Sequence, residues 1–204
     1  MPNDFTRRQV IALGAAGLAA GTVTLAFPQG GWALTVDESR ALIDKVVGEV
    51  NNVINSGASE SRMLQQFEGI FSRYADVPTI AKSVLGPAGR QASAGQISAF
   101  TKAFQGYMSR KYGRRFREFI GGKIEVTNAR PIKSYYEVIS TAYLQGSAPF
   151  DVRWQVSDRS GRLLFFNIII EGVNLLSTER TEIGAILDQQ GGSIDKLIAV
   201  LNKT

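Results

Sequence analysis

Five cations stand within eight residues of the chain: Arg110, Lys111, Arg114, Arg115 and Arg117, beside Tyr107 and Tyr112. Basic groups interleaved with aromatic rings can hold phosphate, along a nucleic acid or at anionic lipid head groups. The plainer alternative is a solvated helix face, because arginine stems also cover apolar surface. A second set of chemically capable groups is Glu137 and Asp151, with Tyr135, Tyr136 and Tyr143 near them. A carboxylic acid buried beside tyrosines takes a raised pKa and can transfer protons. Exposed strand polarity explains the same residues more simply. The remaining inventory is short, since the 204 residues contain no His and no Cys. That excludes a disulfide framework, a zinc finger, a thiol nucleophile, a Ser-His-Asp triad and an imidazole-held metal. No Gly-rich phosphate loop or metal-ligand spacing occurs, so no nucleotide or metal cofactor is indicated. The residue types point to binding, and the chain is expected not to be an enzyme.

The elements that must carry these residues change period midway. Asp37 is the expected cap of a helix running toward Asn55, with Leu42, Ile43, Val46, Val50, Val53 and Ile54 at helical steps. Ser61–Tyr74 and Pro78–Leu85 read as two further helices, the second capped by Asp76 and stopped by Gly86-Pro87. A long helix is expected from Ala94 to Ile120, with Ile97, Phe100, Phe104, Tyr107, Met108, Tyr112, Phe116 and Phe119 on its apolar positions. After Gly121-Gly122 the apolar period becomes two. Ile124 and Val126, then Tyr136–Leu144, then Phe150, Val152, Trp154 and Val156 read as strands. Leu163–Leu176 is so continuously apolar that it reads as one central strand covered on both faces. Ser193–Leu201 reads as a closing helix. The expected fold is α+β, a single domain over 34–204, with the aromatic helix lying over the sheet. An apolar supply this generous on both strand faces can line a pocket as well as fill a core.

The first residues carry a different pattern. Arg7 and Arg8 precede Val10–Phe27, and no charged side chain occurs between Arg8 and Asp37. A basic start, an apolar stretch and the small-residue exit Gly31-Trp32-Ala33 form an export signal, with cleavage expected after Ala33. The paired arginines and the weakly apolar stretch suit a twin-arginine route; general secretion and a retained anchor are the alternatives. Export to the bacterial periplasm argues against a nucleic-acid partner. Overall there are 23 Lys and Arg against 18 Asp and Glu, and the excess is concentrated at the basic run.

The stretch Phe165–Arg180, FFNIIIEGVNLLSTER, resembles the MlaC family, the toluene-tolerance family of periplasmic phospholipid carriers. Ile170, Glu171, Gly172, Val173, Leu175 and Arg180 match its motif, and Val84-Leu85-Gly86 stands where the family has its Leu-Gly. The spacing of Phe100, Phe104, Met108 and Tyr112 fits its long helix, and Gly191, Leu197, Ile198 and Leu201 fit its last one. The chain departs from the pattern at Leu163-Leu164, where the family has Trp-Lys, and at Asn167, where it has Asp. Asn174 replaces Ser, and Thr178-Glu179 replaces Asn-Tyr.

The resemblance implies helices packed over a strongly twisted antiparallel β-sheet enclosing an apolar pocket, a nuclear-transport-factor-like cone. It further implies a carrier that takes phospholipid acyl chains into that pocket and maintains outer-membrane lipid asymmetry. Its partners would be an outer-membrane lipoprotein–porin complex and an inner-membrane ABC transporter with an MCE-type substrate-binding subunit. A carrier of another hydrophobic ligand on the same fold, hopanoid-like or a small apolar molecule, is the alternative. The expected lining is Leu85, Phe100, Phe104, Met108, Tyr143, Trp154, Phe166, Ile168, Ile170 and Val173. Arg110, Lys111, Arg114, Arg115 and Arg117 would dock head groups or a partner. Glu171 is expected to be structural, turning the chain at Gly172 or pairing with Arg180.

Overall fold

A computed structural model describes residues 35–113 and 118–203. The stretch expected to be an export signal, together with Arg114, Arg115, Phe116 and Arg117, lies outside the described residues. Helices come first: α1 (Val36–Ile54), α2 (Glu60–Tyr74), α3 (Val77–Leu85), the single turn α4 (Ala88–Gln91) and α5 (Ala94–Gly113). Strands β1 (Lys123–Ile132), β2 (Tyr135–Tyr143), β3 (Phe150–Ser157), β4 (Leu164–Ile170) and β5 (Val173–Asn174) follow, then α6 (Leu175–Gln189) and α7 (Ile194–Leu201). The strands pair in chain order as one antiparallel sheet, so the fold is α+β as expected.

Short polar side chains fix where the helices begin. Thr35, not Asp37, caps α1: Glu38 N–H donates to Thr35 Oγ1 at 3.1 Å, and Thr35 N–H donates back to Glu38 Oε2 at 2.9 Å. This reciprocal pair satisfies two donors that would otherwise be orphaned, which Asp37 in the first turn could not do. Ser59, Asp76, Asn174 and Ser193 cap α2, α3, α6 and α7, each side-chain oxygen accepting the N–H three residues on.

Helix α1 is the element that lies across the sheet, over β1, β2 and β3, whereas α5 packs against α2, α3 and α7. This corrects the expectation that the aromatic helix covers the sheet. The α5 stripe is apolar because helices surround it. Gly113 permits the close approach to α2, since a Cβ there would stand 1.9 Å from Leu64 Cδ2. The described part of α5 also ends at Gly113, short of the Ile120 expected.

The largest departure is the apolar run 163–176. It is not one strand: β4 stops at Ile170, and Glu171 and Gly172, at φ 48° and 82°, reverse the chain into β5 and α6. Left-handed backbone is what a tight reversal between antiparallel strands requires, and Gly adopts it without steric cost. Glu171 thus serves the turn. The run looked unbroken because the apolar residues of β4 and of the first turn of α6 abut across two turn residues.

Two side-chain clasps hold the layers. Asn51 of α1 donates through Nδ2 to Ile124 C=O at 3.0 Å and accepts from Ile124 N–H at 2.9 Å, imitating a neighbouring strand on the β1 edge. At the other side of the sheet, buried Asn167 donates to Gln155 Oε1 and to Asn174 Oδ1, both at 3.0 Å, and accepts from Leu176 N–H at 3.1 Å. It therefore ties β3, β4 and the start of α6 together. Asn51→Ala removes both edge bonds and leaves Ile124 unpaired on that side. The expected loss is about 2 kcal/mol, at roughly 1 kcal/mol per hydrogen bond. Urea unfolding checks it, with a lowered midpoint and an unchanged slope.

Candidate functional site

The residues expected to line a pocket divide by what they touch. Phe100 and Phe104 are fully buried on α5, stacked 5.7 Å apart. Leu85 and Trp154 are also buried, in the same apolar cluster. Trp154 meets Phe165 edge-on at 5.4 Å, and its Nε1–H donates to Ser140 Oγ at 2.9 Å, which in turn donates to Val152 C=O. These four are packed core. Met108, Phe166, Ile168 and Ile170 pack against that core while remaining half-buried.

Sheet register separates Phe166 from the two isoleucines. Ile168 pairs with Trp154 and Ile170 with Val152, so they share the helix-covered face. A bulge at Gln155/Val156 then shifts the pairing, and Phe166 meets Tyr135 edge-on at 5.5 Å. Phe165, not Phe166, is the ring that enters the core, against Trp154 and Phe71. Tyr143 is half-buried beneath the Lys123 ammonium, 5.3 Å from its ring centre. Val173, beyond the reversal, is 54% exposed. Of the expected lining, Ile168, Ile170 and Met108 thus stay half-buried against the core, as do Leu176 and Ile186 of α6.

A polar cluster bridges α5 and α6. Lys111 Nζ lies 2.7 Å from Glu179 Oε1 and 2.5 Å from Glu182 Oε2. Tyr112 OH donates to Glu179 Oε1, and Tyr107 OH donates to Glu182 Oε1, each at 2.5 Å. Both rings stand 5.4 Å from the ammonium. The cluster sits one helical turn from apolar neighbours: Met108 precedes Lys111 and Tyr112 by three and four residues, and Leu176 precedes Glu179 by three. Glu179 is 1% exposed, Lys111 27% and Glu182 43% by side chain, so the cluster runs from the interior to the solvent edge.

Burial disfavours the Lys111 charge, but its hydrogen bonds to Glu179, Glu182 and Tyr107 outweigh it and raise the pKa above the ordinary 10.5. Burial likewise opposes ionised Glu182, yet Lys111 and Tyr107 hold its pKa below 4.5. Burial and then the bond to Glu182 push Tyr107 up to about 12, and burial with Glu179 raises Tyr112 further.

Sequence reasoning missed Glu179 and Glu182. The available signal was a charged residue on a helical stripe, since Leu176, Glu179, Ile183 and Leu187 recur at three- and four-residue steps. That same charge interrupted the apolar period and concealed α6. Of the basic run, Lys111 is engaged inward, and Arg110 donates to Leu201 C=O at 2.6 Å at the end of α7. There the helix dipole favours a cation. Arg114, Arg115 and Arg117 lie outside the described residues.

The carboxylate–tyrosine set considered for proton transfer is engaged elsewhere. Glu137 accepts from Arg130 Nε at 2.9 Å and Nη2 at 2.5 Å, and Asp151 accepts from Arg153 Nε at 2.5 Å. Among the described residues no cluster of metal-ligating side chains occurs, and no helix is long and apolar enough to cross a membrane. An open groove of about 280 Å³ between α1 and α2 is lined by residues including Glu49, Gln66 and Arg73. Its Glu49 already holds Arg73 and Tyr74, and its lining, which also includes Val53 and Ile70, contains none of the residues expected to line a pocket.

The depressed Glu182 pKa links the cluster to stability. Ionised Glu182 stabilises the fold above its ordinary value of 4.5, and that contribution is lost as the pH falls through its lower folded value. Lys111 contributes below 10.5 and loses its contribution only as the pH rises through its raised value. Glu182→Gln is therefore expected to be less stable than the wild type at neutral pH and to converge with it in acid. Thermal unfolding across pH 2 to 7 measures the convergence, a range of about 2.5 units either side of the ordinary 4.5 that carries the titration through the lowered folded value.

A model of the MlaC protein family matches residues 41–203 of the chain. The fold is also similar to that of a phospholipid-binding protein from Ralstonia solanacearum, solved in complex with a phospholipid. The two superpose with a TM-score of 0.70 at 17% sequence identity, over 81% of this chain and 95% of the other. At that identity the likeness concerns the fold alone, helices packed with an antiparallel sheet. Two departures from the family motif are coupled in space, because Asn167 donates to Asn174, a bond that Asp at the first position could not donate. With the matching region reaching from α1 to the residues after α7, the chain belongs to the MlaC protein family.

Proposed function

We propose that the protein is a phospholipid carrier of the periplasm. The observation that carries this reading is an amphiphilic arrangement. Half-buried Ile168, Ile170 and Met108 lie against the core, and an ionic cluster stands one helical turn from Met108. Acyl chains contact the former and a head group meets the solvent edge of the latter. The phospholipid-bound relative of the same fold and membership of the family support the assignment. The chain acts by binding and release and performs no catalysis; phospholipid is its ligand and no other cofactor is required.

On this reading residues 1–33 are an export signal removed at Ala33, and 34–204 are the carrier. It exchanges lipid between an outer-membrane lipoprotein–porin complex and an inner-membrane ABC transporter assembly, maintaining outer-membrane asymmetry. The physics requires a match to the bilayer. Each buried methylene contributes about 0.8 kcal/mol, so roughly thirty give a gross term near 25 kcal/mol. Nearly all of it is cancelled on leaving a membrane of similar apolarity, and the small remainder keeps transfer reversible.

Gentle purification from the periplasm followed by lipid extraction and mass spectrometry is expected to recover phospholipid in near-stoichiometric amount. A hopanoid-like or other apolar molecule in its place would assign a different cargo, and an empty protein that also fails to load from vesicles contradicts the carrier. Ile170→Glu is expected to lower loading by about tenfold or more, since a carboxylate on the ligand surface must be desolvated. Far-UV circular dichroism should be retained, because Ile170 is already half-exposed.

A further inference from the structure

Among the described residues, the cluster between α5 and α6 is incomplete in hydrogen bonding. Two carboxylates, Glu179 and Glu182, meet one described ammonium. Glu179 Oε2 is buried with no hydrogen-bond partner, although the carboxyl as a whole is 1% exposed. An acceptor left unpaired in the interior is costly, and in native proteins such an atom usually marks a missing ligand, ion or water. The surrounding groups indicate which ligand. Tyr107 and Tyr112 turn their rings toward a single ammonium at 5.4 Å, and the carboxylates meet it at 2.5 and 2.7 Å. Aromatic faces with carboxylates form a receptor for an alkylammonium group, and the resident Lys111 occupies it as one.

Resting on the carrier reading above, we propose that this cluster is a head-group subsite selecting lipids whose phosphate carries an ammonium group, as in phosphatidylethanolamine. A zwitterionic head is the counterpart of the Lys–Glu pair. Its ammonium takes Glu179 Oε2 and Glu182, while its phosphate draws off the Lys111 ammonium, so ion pairs exchange partners, Glu179 Oε2 gains a donor and the single excess negative charge of the cluster is unchanged. A head without the ammonium satisfies Lys111 through its phosphate and strands both carboxylates. The approach is from the Lys111 and Glu182 edge, the exposed side of the cluster. Apolar Met108 and Leu176, one turn away, lead from the head to the acyl chains. Glu179 is one of the positions at which the chain departs from the family motif, so the selectivity is a property of this chain's own residues.

The test is competitive loading of delipidated, full-length mature protein. Vesicles hold equal amounts of phosphatidylethanolamine and phosphatidylglycerol with matched acyl chains, and the re-isolated protein is extracted for quantitative mass spectrometry. Wild type is expected to enrich the ethanolamine lipid about tenfold, the size of one charge-assisted contact. Glu179→Gln and the more exposed Glu182→Gln should each bring the ratio close to one, with far-UV circular dichroism confirming that each variant is folded. Acetylating the ethanolamine nitrogen should abolish the enrichment in the wild type. Equal uptake of both lipids by wild type, or enrichment unchanged in both variants, overturns the subsite and leaves the carrier intact. Uptake of neither lipid overturns the carrier reading, and the subsite with it. Free ethanolamine separates a soluble amine from a lipid head: if it saturates the Tyr107 and Tyr112 NMR signals while the lipid ratio stays at one, the site serves the soluble amine and the lipid assignment fails.

Discussion

Glu179 could not remain between α5 and α6 without the Lys111 ammonium 2.7 Å away. Moving a carboxylate out of water costs several kcal/mol, and only a close cation and directed hydrogen bonds offset it. Lys111 and Tyr112 supply both at Oε1, while Glu182 and Tyr107 extend the network toward solvent. Such a pair adds little net stability over apolar residues of the same size. What it adds is position, because removing Lys111 strands the buried Glu179 carboxylate at a cost of about 3 to 5 kcal/mol. Helix α5 is thereby held to α6 at one height. The other end of α6 is fixed independently, by the reversal at Glu171-Gly172 and by Asn167, whose amide joins β3, β4 and the helix start. The apolar surface at Ile168 and Ile170 lies on the strand that leads directly into this doubly anchored helix.

How far the sequence could be read follows from which forces act locally. Helical and two-residue periods located most helices and the three longest strands, because one-sided burial imposes those periods wherever an element has one wet face. Asp76 and Ser193 were legible as helix starts for the same local reason. The failures occurred where two buried elements adjoin. Across 163–176 the strand and the following helix are both apolar at their junction, so periodicity could not show the reversal, although Glu-Gly is a turn pair. The facing of α5 was misjudged because an apolar stripe does not reveal whether helices or strands cover it. A single bulge between Phe165 and Asn167 put Phe166 against Tyr135, a shift no alternation rule anticipates.

The sequence also did not tell packed residues from half-buried ones within the candidate lining. Apolar residues were identified by type, but Leu85, Phe100, Phe104 and Trp154 fill the core while Ile168, Ile170 and Met108 are only partly buried. Telling lining from filling depends on packing density, which no spacing encodes. The basic run attracted attention as a surface patch, yet Lys111 and Arg110 are turned inward to Glu179, Glu182 and the end of α7. Their partners lie more than sixty residues along the chain. Such pairs are written in the fold alone. The absence of Cys and His acquires a structural meaning beside them: order at this junction rests on one lysine, two glutamates and two tyrosines.

Photo-crosslinking tests the central claim most directly, namely that acyl chains lie against the Trp154 face of β4 near Met108. A phospholipid bearing a diazirine in its acyl chain is loaded, irradiated, and mapped by peptide mass spectrometry. The account predicts adducts on peptides containing Met108, Ile168, Ile170 or Leu176. Adducts confined to the Tyr135 and Gln155 face, or to the α1–α2 groove around Gln66, would contradict it.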